Sequence, residues 1–87
     1  MIHESHPDIL KRLKRAEGHL KKTIAMVEAA DPCPAIAQQL HAVEAAVRKA
    51  KQMLIHDHID HCLEDALTET RGAGDVLGEF KEISKYL

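Results

Sequence analysis

The chain has 87 residues, 45% of them hydrophobic but only Phe80 and Tyr86 aromatic, with two cysteines and a formal net charge of −2. That length accommodates one small core, and a stock of Ala, Leu, Ile and Val points to an all-α chain that leans on oligomerisation for stability. There is no run of about 18 apolar residues and no secretory-type leader, so the reading is a cytoplasmic protein with no membrane partner, whose cysteines are ligands or reactive thiols.

Ser5-His-Pro-Asp8 has the form of a helix start: a capping serine, a proline in the first turn and an acid three residues on. Ile9, Leu13, Ala16, Leu20, Ile24 and Val27 then recur at helical spacing, predicting a first helix over about residues 6–29. Its flank is basic. Residues 11–22 carry Lys11, Arg12, Lys14, Arg15, Lys21 and Lys22 against Glu17 alone, while residues 57–82 carry eight acids against Arg71 and Lys81. A basic end on an acidic chain suits a polyanion held through one face.

Asp31-Pro-Cys-Pro34 interrupts the helix, because proline disfavours helix in the residue before it. Pro34 is acceptable as the first residue of a second helix, over about 34–66. Ile36, Leu40, Val43, Val47, Ala50 and Leu54 form a four-three seam of coiled-coil type along it. Such a rod is roughly 50 Å long at 1.5 Å per residue, too long for the rest of the chain to cover. Arg71-Gly-Ala-Gly74 reads as a turn, and Val76, Leu77, Phe80, Ile83 and Leu87 define a third helix over about 75–86. All 87 residues make a single domain.

Chemistry concentrates in LIHDHIDHCLED, residues 54–65, where three histidines, a cysteine and four carboxylates occupy twelve positions. His58 and Cys62 are four apart, one turn on the same helix face, and an imidazole–thiolate pair at that spacing can chelate a metal ion. Cys33 is the natural third donor, but roughly 37 Å of helix separates it from His58. Two long helices packed antiparallel, crossing near residue 46 or 47, bring Cys33 of one chain level with residues near 60 of the other. The small residues of Ala42-Val-Glu-Ala-Ala46 permit that approach, and two-fold symmetry makes two such sites. No Gly-rich phosphate loop accompanies the Cys/His pair, nor a third orienting residue at a recognisable spacing. That excludes an enzyme with a small-molecule substrate. A metal-storage helical bundle is the competing class, and the basic first helix argues against it.

These residues resemble the CsoR/RcnR family of bacterial metal-responsive repressors. The resemblance rests on RLKRAEGHL (12–20), Cys33, QQLHAVEAAVRKAKQML (38–54) and HDHIDHC (56–62). It implies an all-helical antiparallel dimer, paired into a dimer-of-dimers tetramer. Metal-free, the tetramer binds operator double-stranded DNA without a helix-turn-helix; with metal, it releases. By that resemblance Cys33, His58 and Cys62 are sensor ligands. Arg12 and Lys49 are DNA contacts, with Lys14, Arg15 and Arg48 as neighbouring candidates whose physical role is phosphate contact.

The Cys-His-Cys set alone suits Cu(I), and a fourth nitrogen donor suits Ni(II) or Co(II). His3 and His6 offer one, and SHPDILKRLKRAEGHL with LIHDHIDHCLED most resembles the nickel/cobalt-responsive branch. Cu(I) is the alternative effector. Formaldehyde or thiol chemistry at Cys33 is another. His56 reads as an outer-sphere or surface residue and His61 as surface. Glu79 and Tyr86 are expected to form outer-sphere hydrogen bonds that couple metal to DNA.

Overall fold

The computed structural model describes residues 6–68 and 72–87; Ser5 and His3, to which roles were assigned above, lie outside them. Three helices follow in order: α1 (His6–Glu28), α2 (Cys33–Thr68) and α3 (Ala73–Ser84). No strand occurs among the described residues. Both ends of the long helix run slightly past the expected span, and α3 starts early, so Ala73 and Gly74 belong to it and not to a turn.

Local chemistry explains the breaks. Ala30 takes a left-handed conformation (φ 55°). Its amide donates to the Val27 carbonyl (3.1 Å), and the Asp31 amide donates to the Met26 carbonyl (3.0 Å). This is the Schellman arrangement, which satisfies carbonyls that the end of α1 would otherwise leave open. The Pro32 carbonyl then accepts from the amides of Ala35 (3.0 Å) and Ile36 (3.2 Å), starting α2. Pro34 is tolerated there because a first-turn amide has no helical acceptor.

α1 packs antiparallel on the first part of α2, α3 folds back on the last part, and α1 and α3 do not pack on each other. Ile9, Ala16 and Thr23, seven apart, are the buried residues of α1. The buried Thr23 hydroxyl donates to the His19 carbonyl one turn back (2.8 Å), so its own polar group is not stranded. Ala50, Ile55 and Cys62 are buried on α2, and Val76 on α3.

The product is a thin slab of 56 × 23 × 14 Å, barely more than one helix deep. Its radius of gyration is 17.7 Å, against about 12 Å for a compact chain of this length. It exposes 6659 Å², roughly 1,500 Å² more than a globular protein of this size, nearly twice what one partner gives to a standard interface. The sequence seam is split accordingly. Ile36, Val43 and Ala50 turn toward α1, whereas Leu40, Val47 and Leu54 remain 49%, 46% and 38% exposed. No helix among the described residues is long and apolar enough to cross a membrane.

An alanine held left-handed carries strain that glycine lacks. Ala30→Gly is therefore expected to stabilise the chain by about 0.5–1 kcal/mol despite its greater unfolded-state entropy. Urea unfolding at fixed protein concentration checks this, and a lower midpoint would contradict it.

Candidate metal centre

α3 returns along α2 with Val76, Glu79, Ile83 and Tyr86 following one another at three- and four-residue spacing. Val76 is buried and Ile83 half-buried, so Glu79 sits on the strip that faces α2. A carboxylate on an apolar strip is the signal that it points at something. Here it points at the His58/Cys62 turn. Glu79 Oε2 lies 3.5 Å from His58 Nε2 and 3.9 Å from Cys62 Sγ. One donor atom from each of the three falls within 4.8 Å of the others.

These separations suit a metal. Bond lengths of 2.0–2.3 Å to N, O and S at tetrahedral angles place donor atoms about 3.3–3.8 Å apart. Cys62 is 3% exposed, while the His58 and Glu79 side chains are 28% and 44% exposed. The group is thus seated on the thiol and open on one side. His58 and Glu79 border a cleft with Glu82, Ile83 and Tyr86.

Cys33 is not part of this group. It is exposed at the first residue of α2, roughly 37 Å of helix from His58. His6 is half-buried at the start of α1. Across a hairpin whose helices end at Glu28 and begin at Cys33, residues whose numbers add to about 61 lie level, which puts His6 near Ile55. His56 faces away, in a separate groove with Arg48, Lys51, Gln52, Ile55 and Leu87. His61 stands between Asp57 and Glu64, 3.9 Å from each, and Tyr86 lines the cleft beside His58.

The two broad faces of the slab differ. Cys33, Leu40, Val47 and Leu54 are seven apart and His58 is four further on, so they share one face of α2; Lys49, His56 and Leu63 share the opposite one. With Ile9, Ala16 and Thr23 turned to α2, the handedness of two antiparallel right-handed helices assigns the flanks of α1. Leu13, Leu20 and Ile24 fall on the side of Leu40 and Val47. Arg12 and Arg15 fall on the side of Lys49, and Arg12 is also level with it by the hairpin register. All three are exposed. Lys14 projects from the other side. Arg48 points toward the end of α3, its guanidinium on Glu44 at 3.0 Å.

Residues 5–87 match the family described as metal-sensitive transcriptional repressor. This chain belongs to that family. It is the CsoR/RcnR family, one of regulators and not of enzymes. The copper-sensing transcriptional repressor CsoR of Bacillus subtilis is 36% identical over 80 residues, 88% of this chain and 79% of that protein. CsoR of Mycobacterium ulcerans is 36% identical over 67 residues, and the chain spans only 57% of its length. Among solved structures, the nickel-responsive transcriptional regulator InrS superposes with a TM-score of 0.85 at 30% identity, covering 99% of this chain and 96% of that one. This family member thus has relatives named for two different metals.

Exposed ion pairs four apart on a helix contribute about 0.3–0.5 kcal/mol. Glu44→Ala should accordingly leave the urea midpoint almost unchanged. A loss beyond about 1 kcal/mol would show that the Arg48 pair is structural.

Proposed function

We propose that this chain is a cytoplasmic metal-responsive repressor. Metal-free, it holds operator double-stranded DNA. Ni(II) or Co(II) at a site shared between two subunits releases the DNA, derepressing a metal efflux gene. The heptad row on the exposed face of α2 carries this reading. Leu40 and Leu54 are equidistant from Val47. An antiparallel pair of α2 helices with its two-fold axis at Val47 therefore sets leucine on leucine across the seam. The same register sets Cys33 opposite position 61, between His58 and Cys62, on the face those residues share. Hydrophobic pairing and donor assembly are one event, and they cover apolar surface that the single chain leaves open. Two such dimers pair into the tetramer.

In the metal-free state Arg12, Arg15 and Lys49 stand on the face opposite the seam, turned outward to meet phosphates. Arg48 joins them only by leaving Glu44, and Lys14 serves on another surface. Bound metal supplies fixed bond directions to its donors. His58, Cys62 and the partner subunit's Cys33 then hold the two long helices at one relative setting, and His3 or His6 adds a nitrogen. A ligand shifts the equilibrium only through its preference for one setting over the other. The basic faces of the assembly are matched to the duplex in the metal-free setting alone. Cu(I) is the second reading. The partner subunit's Cys33 with His58 and Cys62 makes a three-donor, sulfur-rich set, and two relatives are named as copper sensors.

Titrating the reduced, metal-free protein anaerobically with Ni(II), Co(II) or Cu(I), while following binding to its own promoter, tests the reading. DNA release with thiolate-to-metal absorption is expected, and release by Cu(I) alone would transfer the assignment to copper. Subunit mixing tests the shared site. Cys33→Ala and Cys62→Ala proteins should each lack the full site, yet regain one intact site per mixed dimer. An unrecovered mixture would place all donors within one chain.

The DNA face has its own test. Arg12→Ala and Lys49→Ala should each flatten the slope of log affinity against log salt by about 0.9 for every subunit that meets the duplex, and Lys14→Ala should not. Equal slopes for all three would remove the proposed face.

A further inference from the structure

We infer that Glu44 and Lys51 form two symmetry-related ion pairs across the α2 seam of a dimer. They select a second copy of this chain, antiparallel and in the one register that assembles the shared site. This rests on the seam reading above and adds what fixes its register. The apolar row alone does not fix it. Leu40, Val47 and Leu54 repeat every seven residues, so sliding one helix by a heptad sets Leu40 on Val47, or Val47 on Leu54, and apolar contact survives. Cys33 would then stand level with position 54 or 68, away from the His58/Cys62 turn. Hydrophobic packing tolerates that slip; charge does not.

Glu44 lies four residues beyond Leu40 and Lys51 four beyond Val47, as His58 lies four beyond Leu54. The three therefore follow one edge of the seam. Both charged side chains are exposed, and both border a groove with Val47 and Arg48. Glu44 accepts from Arg48 through Oε1 at 3.0 Å, and a carboxylate has room for a further donor. Among the described residues, Lys51 has no ion-pair partner within the chain. Antiparallel helices of one hand bring the same edge of each to the same side of their seam. With the two-fold axis at Val47, positions whose numbers add to about 94, twice 47, stand level. Glu44 then falls one residue, about 1.5 Å, from the level of the partner subunit's Lys51, and symmetry makes the pair twice. A heptad slip one way sets Glu44 beside the partner subunit's Glu44; the other way, it sets Lys51 beside the partner subunit's Lys51. A parallel pair sets every residue level with its own copy. Only the register centred on Val47 joins unlike charges. Exposed pairs of this kind lose little when one member is merely truncated, because water and salt screen them. Their effect is discrimination: the wrong register trades two attractive contacts for a repulsive one.

The experiment uses charge reversal in the full-length chain: Glu44→Lys, Lys51→Glu and the double variant, with helix content followed by circular dichroism. Each single variant meets its own copy with like charges, whereas Glu44→Lys meets Lys51→Glu with both pairs restored. Equal amounts of these two, one carrying a mass tag, exchange subunits at low salt and are counted by native mass spectrometry. Unlike subunit pairs are expected to exceed about 90% of the total, against about half for random pairing. Exchange at about 1 M salt, where the Debye length is about 3 Å, is expected to move them back toward half. The double variant is expected to pair with itself and to avoid wild type. Random pairing of the single variants at low salt overturns the inference, because effects local to one helix, the lost Arg48 contact included, are the same in like and unlike pairs. Random pairing, with the Cys33→Ala and Cys62→Ala mixture still regaining a site, removes this inference and leaves the shared site standing. Charge-directed pairing with an unrecovered cysteine mixture supports the seam and removes the shared site.

Discussion

A helix of 36 residues in a chain of 87 is the constraint on which everything else depends. α1 covers one flank of its first part and α3 the other flank of its last part, and neither covers its broad faces. A single layer 14 Å deep cannot bury a core in the way a globule does. Its buried residues are correspondingly few and mostly small, and large side chains such as Leu40, Val47 and Leu54 stay at the surface. The hydrophobic effect that a compact domain spends internally is here left available for association.

The same constraint distributes the chemistry. Placing helices only on the flanks of α2 separates two broad surfaces by sign and polarity. One carries the apolar row with Cys33 and His58 at its ends. The other carries Lys49 beside Arg12 and Arg15. A residue's heptad position alone decides which surface it joins, so the apolar row and the basic residues fall on separate sides of one helix.

α3 is the shortest helix and touches the most chemistry. Near its middle, Glu79 approaches His58 and Cys62; three residues beyond its end, Leu87 lies in the groove lined by Arg48, Lys51 and Gln52. Val76 and Ile83 hold it on α2, and Glu79 interrupts that apolar strip with a group that water solvates better than carbon does. The segment thus combines modest packing with a polar residue at its centre.

Much of this was legible in the sequence, because helical periodicity is a local property. Spacings of three and four identified three helices, Asp31-Pro-Cys-Pro34 marked the break, and the distance from Cys33 to His58 followed from rise per residue alone. The His58/Cys62 pair was visible for the same reason: residues one turn apart on a helix are neighbours whatever surrounds them. What needed the tertiary structure was every relation between helices. Glu79 is 17 residues from Cys62, and only the way α3 folds back decides whether its carboxylate meets the thiol or water. The basic residues show the same division. The family resemblance marked Arg12 and Lys49 as DNA contacts, with Lys14, Arg15 and Arg48 as neighbouring candidates. The hairpin's handedness then separated Arg12, Arg15 and Lys49 from Lys14, and an i, i+4 acid claimed Arg48. Periodicity fixes a side chain's angle about its own helix axis; packing alone turns that angle into a face of the molecule.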